Sequence, residues 1–482
     1  MLENYLEINL TILHITLQEI LNFMLTREGV LTFPKIFKQG ACNSLVFRIN
    51  STTFIILIRN STVEMRRLLI ILFTIFPLFI FATMIHAHEQ IVVGVATSLS
   101  LLEGEESLKA VMLAVEEING KGGVAIGDKR LPIKIKSIDL NDASLEVPVS
   151  EALSHMKQFI RKEKINAILV GPFRSEVLLA GMDMIARLKV PILGTIAMSA
   201  ASETKIMKDP KYRYIFRVGL NSKYFVEYLI KAMKFLNAKF GFNRVYIMNQ
   251  DVAWARSAAS LLIKLYFDRA GWEVVDLDTY PTGASDFSIG LNKATKEGAQ
   301  VILPIFDMPQ SGFLVRQWNR MGVPAILCGF ISPMVGPGAW ETFNGKIDGA
   351  LNVIFELGNV PSTKFKPAMD FYEAYKKRYG SNIEAGHGPA PAYESVYILA
   401  EAIRKAGSLD PDKVVTALKD TDRIGGAMGR IRFHKGQQAI FGDNPDAEAL
   451  ACIIQWTKTG HRRIVYPPAI AEGDIELPRL LR

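Results

Sequence analysis

The chain has 482 residues, 49% of them hydrophobic and 22% charged, with a formal net charge of +8. That length exceeds the roughly 250–300 residues one hydrophobic core usually serves, so more than one lobe is required. The positive excess is scattered in short groups such as Lys129-Arg130, Arg161-Lys162 and Lys376-Lys377-Arg378; there is no basic stripe interleaved with aromatics, which excludes nucleic acid as a partner.

Residues 1–64 hold the weakly polar stretch Leu10 to Leu25 and the apolar patch Phe54 to Ile58, with no caps or turns joining them. They read as a spurious or disordered extension; the alternative is an N-terminal anchor or an extra module. Met65-Arg66-Arg67 then leads into an apolar run ending at Ala82 and into Ile85-His86-Ala87. Two arginines, a short apolar run and a small residue at the cut site make a signal peptide over 65–87. The run is too short for a spanning helix, which needs roughly 20 residues. The mature chain is expected to start near His88, in the periplasm. No cysteine closely follows the run, which argues against a lipid anchor. Of three cysteines only Cys328 and Cys452 lie beyond it; their pairing and a pair of buried thiols both remain open.

From residue 91 the pattern alternates. Strands are expected at 91–96, 132–139, 165–171 and 190–195, with helices at 106–119, 147–163 and 176–188. Leu108, Met112, Val115 and Ile118 are spaced for one helix face, and Asn119-Gly120-Lys121-Gly122-Gly123 ends that helix with residues that accept positive φ. The pattern restarts with a strand at 214–218, a helix at 222–237 and a strand at 244–249. A helix at 255–270, a strand at 273–280, a helix at 287–297, a strand at 300–305, a helix at 311–321 and a strand at 325–329 follow. The remainder reads as strand 351–355, helices 367–379, 392–406 and 410–417, and strands 429–433, 452–457 and 463–465. Strands that are continuous apolar runs between helices argue for parallel sheets covered on both faces. The fold class is therefore α/β: two Rossmann-like lobes with parallel-rich sheets and a three-strand hinge, with crossings near Val218, Phe355 and Arg430. The expected lobes are 88–217 plus 356–429, and 218–355 plus 430–475.

In such sheets ligands bind beyond the C-terminal strand ends. Those loops are 98–105, 171–175, 195–202, 249–254 and 305–310. Gly171-Pro172-Phe173-Arg174-Ser175 offers backbone N–H groups, a hydroxyl and a helix N-terminus to an anion. Ala197-Met198-Ser199-Ala200-Ala201-Ser202 has the same make-up. The plainer alternative makes Ser175 and Ser202 helix N-caps only. Trp254 and Phe306 sit at strand ends of the second lobe, as core aromatics or as a cover for an apolar ligand. No G-x-S-x-G, Walker loop or H-E-x-x-H is present. The histidines, among them His155, His387 and His434, lack ligand spacing, so no enzyme activity, metal or cofactor is expected.

Val93-Gly94-Val95, Glu116-Glu117-Ile118-Asn119-Gly120-Lys121-Gly122-Gly123, Asp139-Leu140-Asn141-Asp142, the 171–175 loop and Tyr393-Glu394-Ser395-Val396 together resemble the periplasmic leucine/isoleucine/valine-binding proteins. Those are type I substrate-binding proteins of ABC transporters. The resemblance runs from residue 88 to about 475. It implies a monomeric periplasmic solute receptor that binds an amino acid or related carboxylate or amide between two lobes and delivers it to an inner-membrane ABC permease; the same fold also serves as a sensor domain. By resemblance Ser175 holds the ligand carboxylate. Ala197 and Ser199, flanking Met198, contact the α-carboxylate and α-ammonium. Trp254 takes an aromatic position of the second lobe, and Phe306 lies near another. Two departures stand out. Phe330-Ile331-Ser332 has no carboxylate where the family places its acid for the ammonium, and Ser144 stands where a cysteine would form the first lobe's disulfide. Burying an unpaired ammonium is costly, so Glu103 and Asp307 are the candidates for the missing acid. If neither serves, the ligand is an amide, a urea-like compound or an aromatic or short-chain carboxylate, with Arg174 available to a second acid group.

Overall fold

The structure, a computed structural model, describes residues 89–478 and Leu481, together with the backbone of two strands, β1 (Ser44–Ile49) and β2 (Thr52–Leu57). These two pair antiparallel. The chain divides into two compact units, Met1–Ala87 and His88–Arg482. The expected signal peptide and its cut near His88 lie outside the described residues.

The second unit opens with β3 (Ile91–Thr97), α1 (Leu102–Gly120), the hairpin β4 (Val124–Ile126) and β5 (Lys129–Leu131), and β6 (Ile133–Asp139). It continues through α2 (Val149–Lys162), β7 (Ala167–Val170), α3 (Ser175–Leu188), β8 (Ile192–Gly194), α4 (Ala201–Lys208) and β9 (Ile215–Arg217). Five of these strands form one parallel sheet in the order β6-β3-β7-β8-β9. Then come α5 (Ser222–Phe240), β10 (Arg244–Gln250), α6 (Ala253–Leu265), β11 (Glu273–Tyr280), α7 (Ser288–Lys296), β12 (Val301–Phe306), α8 (Gly312–Arg320) and β13 (Ile326–Ile331). After α9 (Ala339–Thr342) and β14 (Leu351–Ile354) the helices α10 (Lys366–Tyr379), α11 (Pro389–Ala406) and α12 (Pro411–Lys419) follow. The hairpin β15 (Asp422–Gly426) and β16 (Gly429–Arg432) precedes β17 (Cys452–Trp456) and β18 (Arg462–Tyr466). The second sheet runs β11-β10-β12-β13-β14-β17-β18, parallel as far as β14 and antiparallel beyond.

Continuous apolar runs explain both sheets. β7, β12 and β13 are buried at every residue, as strands covered by helices on both faces must be. In each sheet the second strand of the parallel set flanks the first on one side and the third flanks it on the other. The strand order therefore reverses between β3 and β7 and between β10 and β12, and each reversal opens a crevice at the C-terminal strand ends.

Several expectations need correction. α1 begins at Leu102, a turn before the expected start, so Glu103 lies on a helix and not in a loop. Gly104 lowered its helical signal, but glycine is required there: a Cβ would stand 2.0 Å from the Ser98 carbonyl oxygen. The buried face of α1 carries Ala110, Val111, Leu113, Ala114, Val115 and Ile118, while Leu108 and Met112 are only partly buried. The hairpin of β4 and β5, helix α4 and strand β15 were not expected; three-residue strands and a two-turn helix are too short for periodicity to register. The chain at Arg430 belongs to a hairpin with β15, and Gln438 still bridges Arg217 at the edge of the first sheet. The third passage between sheets therefore falls between Gln438 and Cys452.

Cys328 and Cys452 are free and buried, with burial pushing the Cys328 thiol up to about 12. Among the described residues no helix is long and apolar enough to cross a membrane. Nor do three or more His, Cys, Asp or Glu among them gather to hold a metal ion.

Candidate functional site

A cavity of about 250 Å³ opens where the two crevices face each other. The first lobe contributes Leu101, Glu103, Ser144, Phe173, Arg174, Ser175, Ile196 and Met198; the second contributes Gln250, Trp254, Asp307, Met308 and Phe330, and Phe355 and His387 also line it. Of the residues expected from sequence, Glu103, Arg174, Ser175, Met198, Trp254 and Asp307 line this one cavity.

Ala197, Ser199 and Phe306 do not line it. Phe306 is fully buried against Tyr280 and Phe287. Alternation along β12 points it into the core, so that its neighbour Asp307 reaches the cavity instead. Ser199 acts through its main chain: its N–H donates to Ser175 Oγ at 3.0 Å, and its carbonyl accepts from Arg217 Nη1 at 2.7 Å. Arg217 is fully buried, which pulls its pKa down to about 10 against the opposing charges of Glu203 and Glu356.

The loop after β7 is held under strain. Val170 has φ 72 and Gly171 φ 74, and a β-branched residue in the left-handed region is costly. Asp142, fully buried, holds the loop in place. Its Oδ2 accepts from the N–H groups of Phe173 (2.8 Å) and Arg174 (3.2 Å), and its Oδ1 accepts from Ser98 Oγ at 3.0 Å. Burial raises its pKa against these bonds. Arg174 Nη2 donates to the Val147 carbonyl at 2.7 Å.

Ser175, 3% exposed, is not an N-cap: that position is Arg174, and no side chain caps the helix. Its Oγ instead accepts from Met198 N–H at 3.1 Å and from Ser199 N–H at 3.0 Å. A hydroxyl has two acceptor lone pairs and one donor. Both lone pairs are used, so what Ser175 can offer the cavity is its O–H, at the N-terminus of a 14-residue helix. Ser202 is not an N-cap either; its Oγ donates to the Ser199 carbonyl.

Between the two lobes, Glu103 Oε1 accepts from Ser332 Oγ at 2.7 Å. Ser332 follows β13, where the sequence lacks a carboxylate, so Glu103 enters that space from the opposite lobe. Asp307 Oδ2 accepts from the Trp254 indole N–H at 2.8 Å. Burial, reinforced by the charge of Glu103, pushes the Asp307 pKa up to about 6. Gln250 Oε1 accepts from the N–H groups of Asp307 and Met308 and so positions that strand end.

Sequence reasoning passed over Phe330, Phe355, His387 and Asp142. Phe330 and Phe355 pack tilted by 34° at 4.1 Å between centroids, and both pack edge-to-face with Trp254. His387 Nδ1 lies 2.9 Å from Glu356 Oε1, and its Nε2 lies 2.7 Å from the Ile196 carbonyl oxygen. Both partners only accept, so the geometry requires both ring nitrogens to carry a proton. The one available signal was His387 beside Gly388, whose φ of 104 marks a tight helix entry. Glu394 of the Tyr393–Val396 motif serves structure: it accepts from Ala427 N–H and pairs with Arg423.

Solved structures share this architecture. A putative branched-chain amino acid ABC transporter protein from Silicibacter pomeroyi aligns at TM-score 0.69 and 17% identity, over 81% of this chain and 100% of that one. A solute binding protein from R. palustris in complex with benzoate aligns at 0.64 and 15%, over 81% and 99%. A branched-chain amino acid transporter substrate binding protein from Streptococcus pneumoniae in complex with isoleucine aligns at 0.63 and 19%, over 79% and 100%. The first and third are two-lobed proteins of the type I periplasmic binding fold. By sequence, a Leu/Ile/Val-binding protein homolog of Brucella suis is 27% identical over 391 residues, 79% of this chain and 91% of that protein. Residues 92–443 match the family described as periplasmic binding protein, and with a cavity at both strand-order reversals the chain belongs to that family.

Proposed function

We propose that the protein is the periplasmic receptor of an ABC importer, capturing an amino acid in the interlobe cavity and closing on it for delivery to an inner-membrane permease. The observation that carries this reading is the polarity of the cavity. The Ser175 hydroxyl, with only its proton left to give, and the α3 N-terminus suit a carboxylate. Glu103, bonded to Ser332 of the other lobe, suits an ammonium. Relatives named Leu/Ile/Val-binding protein homologs support the same class of ligand. In this reading the receptor is exported through residues 65–87 and works as a monomer. Its first lobe is 88–217 plus 356 to about 438 and its second 218–355 plus 452–475, a shift of the last boundary from the expected 429/430.

Isothermal titration calorimetry of the full chain with L-leucine tests this. Binding is expected, and Ser175→Ala should weaken it by about 10–150-fold, the worth of a hydrogen bond to a charged group at roughly 1.5–3 kcal/mol. Heat with benzoate but none with leucine would overturn the amino-acid reading and leave a carboxylate receptor.

A further inference from the structure

The cavity holds more negative charge than a zwitterion can balance. Three carboxylates line it, Glu103, Glu176 and Asp307, against Arg174 and His387. His387 is already matched by Glu356 at 2.9 Å, which leaves Arg174 as the one cation of the lining to face three carboxylates. If the ligand carboxylate sits at Ser175 and its α-ammonium at Glu103, the cation whose charge still reaches Asp307 is His387, which Glu356 already matches. An enclosed carboxylate without a cation of its own is expensive.

Asp307 is also set for a donor. The Trp254 indole holds Oδ2 at 2.8 Å, which leaves Oδ1, beside the Gln250 amide, as the oxygen that the indole does not hold. Gln250 fixes the main chain of Asp307 and Met308 from behind, and Thr282 Oγ1 accepts from Gln250 Nε2 at 3.0 Å. Next to this carboxylate stand three aromatic rings on the cavity wall, Trp254, Phe330 and Phe355. Their centroids lie 6.2 Å, 6.4 Å and 4.1 Å apart. Aromatic faces attract organic cations, Trp most strongly. A wall built only to hold a branched aliphatic side chain would gain nothing from a carboxylate at its edge.

We propose that the site takes an amino acid with a second cationic group, of the chemical class of arginine or lysine, whose side-chain cation is seated between Asp307 and the Trp254–Phe330–Phe355 wall. This inference rests on the amino-acid reading above. Burial, with Glu103 adding to it, raises the Asp307 pKa to about 6 against the bonds from Trp254 and Gln250 and the charge of His387, so a cation seated here would restore the charged form.

The test is calorimetry of the full chain with L-arginine, L-lysine and L-leucine, wild type and Asp307→Asn. Arginine or lysine is expected to bind the wild type at least tenfold more tightly than leucine, and Asp307→Asn is expected to shrink that ratio at least tenfold. Leucine binding with no preference for the basic amino acids overturns the second-cation proposal and leaves the amino-acid reading intact. A preference that survives Asp307→Asn also overturns it, because the cation is then read elsewhere. Binding of none of the three overturns both readings. If Asp307→Asn fails to fold, the wild-type panel still overturns the proposal when leucine binds as tightly as arginine and lysine, and Asp307→Glu, which keeps the charge, is expected to keep the preference.

Discussion

Replacing Glu356 by alanine is expected to destabilise the second unit by about 3–5 kcal/mol, the cost of removing one partner of a buried ion pair. Glu356 is fully buried, and its carboxylate collects most of the hinge. It accepts from Leu220 N–H (2.9 Å), where the chain first passes between sheets, from Gly388 N–H (3.1 Å) at the start of α11, and from Asn359 Nδ2 (3.1 Å). It also pairs with His387, which reaches on to the Ile196 carbonyl of the cavity wall. Alanine would leave an imidazolium without its counter-charge and two buried N–H groups without acceptors. The readout is the urea midpoint followed by tryptophan fluorescence; a midpoint unchanged within error would mean that the pair contributes nothing net.

The same pair gives the stability a pH dependence of definite sign. Burial pulls the His387 pKa down, but the charge and hydrogen bonds of Glu356 and the Ile196 carbonyl outweigh it, with Glu103 adding to them, so the folded value lies above 6.5. Such a group stabilises fully below its unfolded pKa and loses that contribution as pH rises through its folded one. Asp307, raised from 3.8 to about 6, and Glu106, raised by burial from 4.5 to about 7, act in the same direction over the windows between those values. Asp412, lowered to about 2 chiefly by its bond from Tyr214, opposes them only in acid. The melting temperature should therefore be higher at pH 5.5 than at pH 8, and a flat profile across that range would contradict the placement of all three groups.

How much of this was legible depended on the length of each signal. β7, β12 and β13 were readable because both faces are covered and nothing interrupts the apolar run. Six of the nine expected site residues line the cavity for a related reason: the loops after parallel strands are short, so position along the chain nearly fixes position in the crevice. Phe306 failed by one residue, because the two-residue period of a strand end is lost once burial covers both faces. Glu103 was placed in a loop because Gly104 masked the first helical turn. Phe355, His387 and Asp142 come from segments far apart in sequence and converge only through the hinge and the first crevice. No local pattern marks such convergence. What could be read was that Phe330-Ile331-Ser332 lacks an acid, and that gap is what made Glu103 worth following.

The largest effect on ligand capture is expected from Glu103→Gln, which should weaken L-leucine binding by about 30-fold to more than 1,000-fold, the roughly 2–5 kcal/mol lost when one member of a buried charge pair is removed. Glutamine keeps the shape, and its carbonyl oxygen can still accept from Ser332 Oγ, so the interlobe contact at 2.7 Å survives and the fold is not at issue. What is lost is a negative charge on the cavity lining. Ser332→Ala separates the two roles: it removes the hydroxyl that orients Glu103 and keeps the charge, so a loss of about tenfold is expected, the worth of a hydrogen bond to a charged group. If both variants bind leucine as the wild type does, the ammonium lies elsewhere. A larger loss from Ser332→Ala than from Glu103→Gln would mean that the serine touches the ligand directly. The expected order, with Glu103→Gln the more damaging, follows from geometry: the acid has moved to the first lobe, and the second lobe now supplies the hydroxyl that holds it in place.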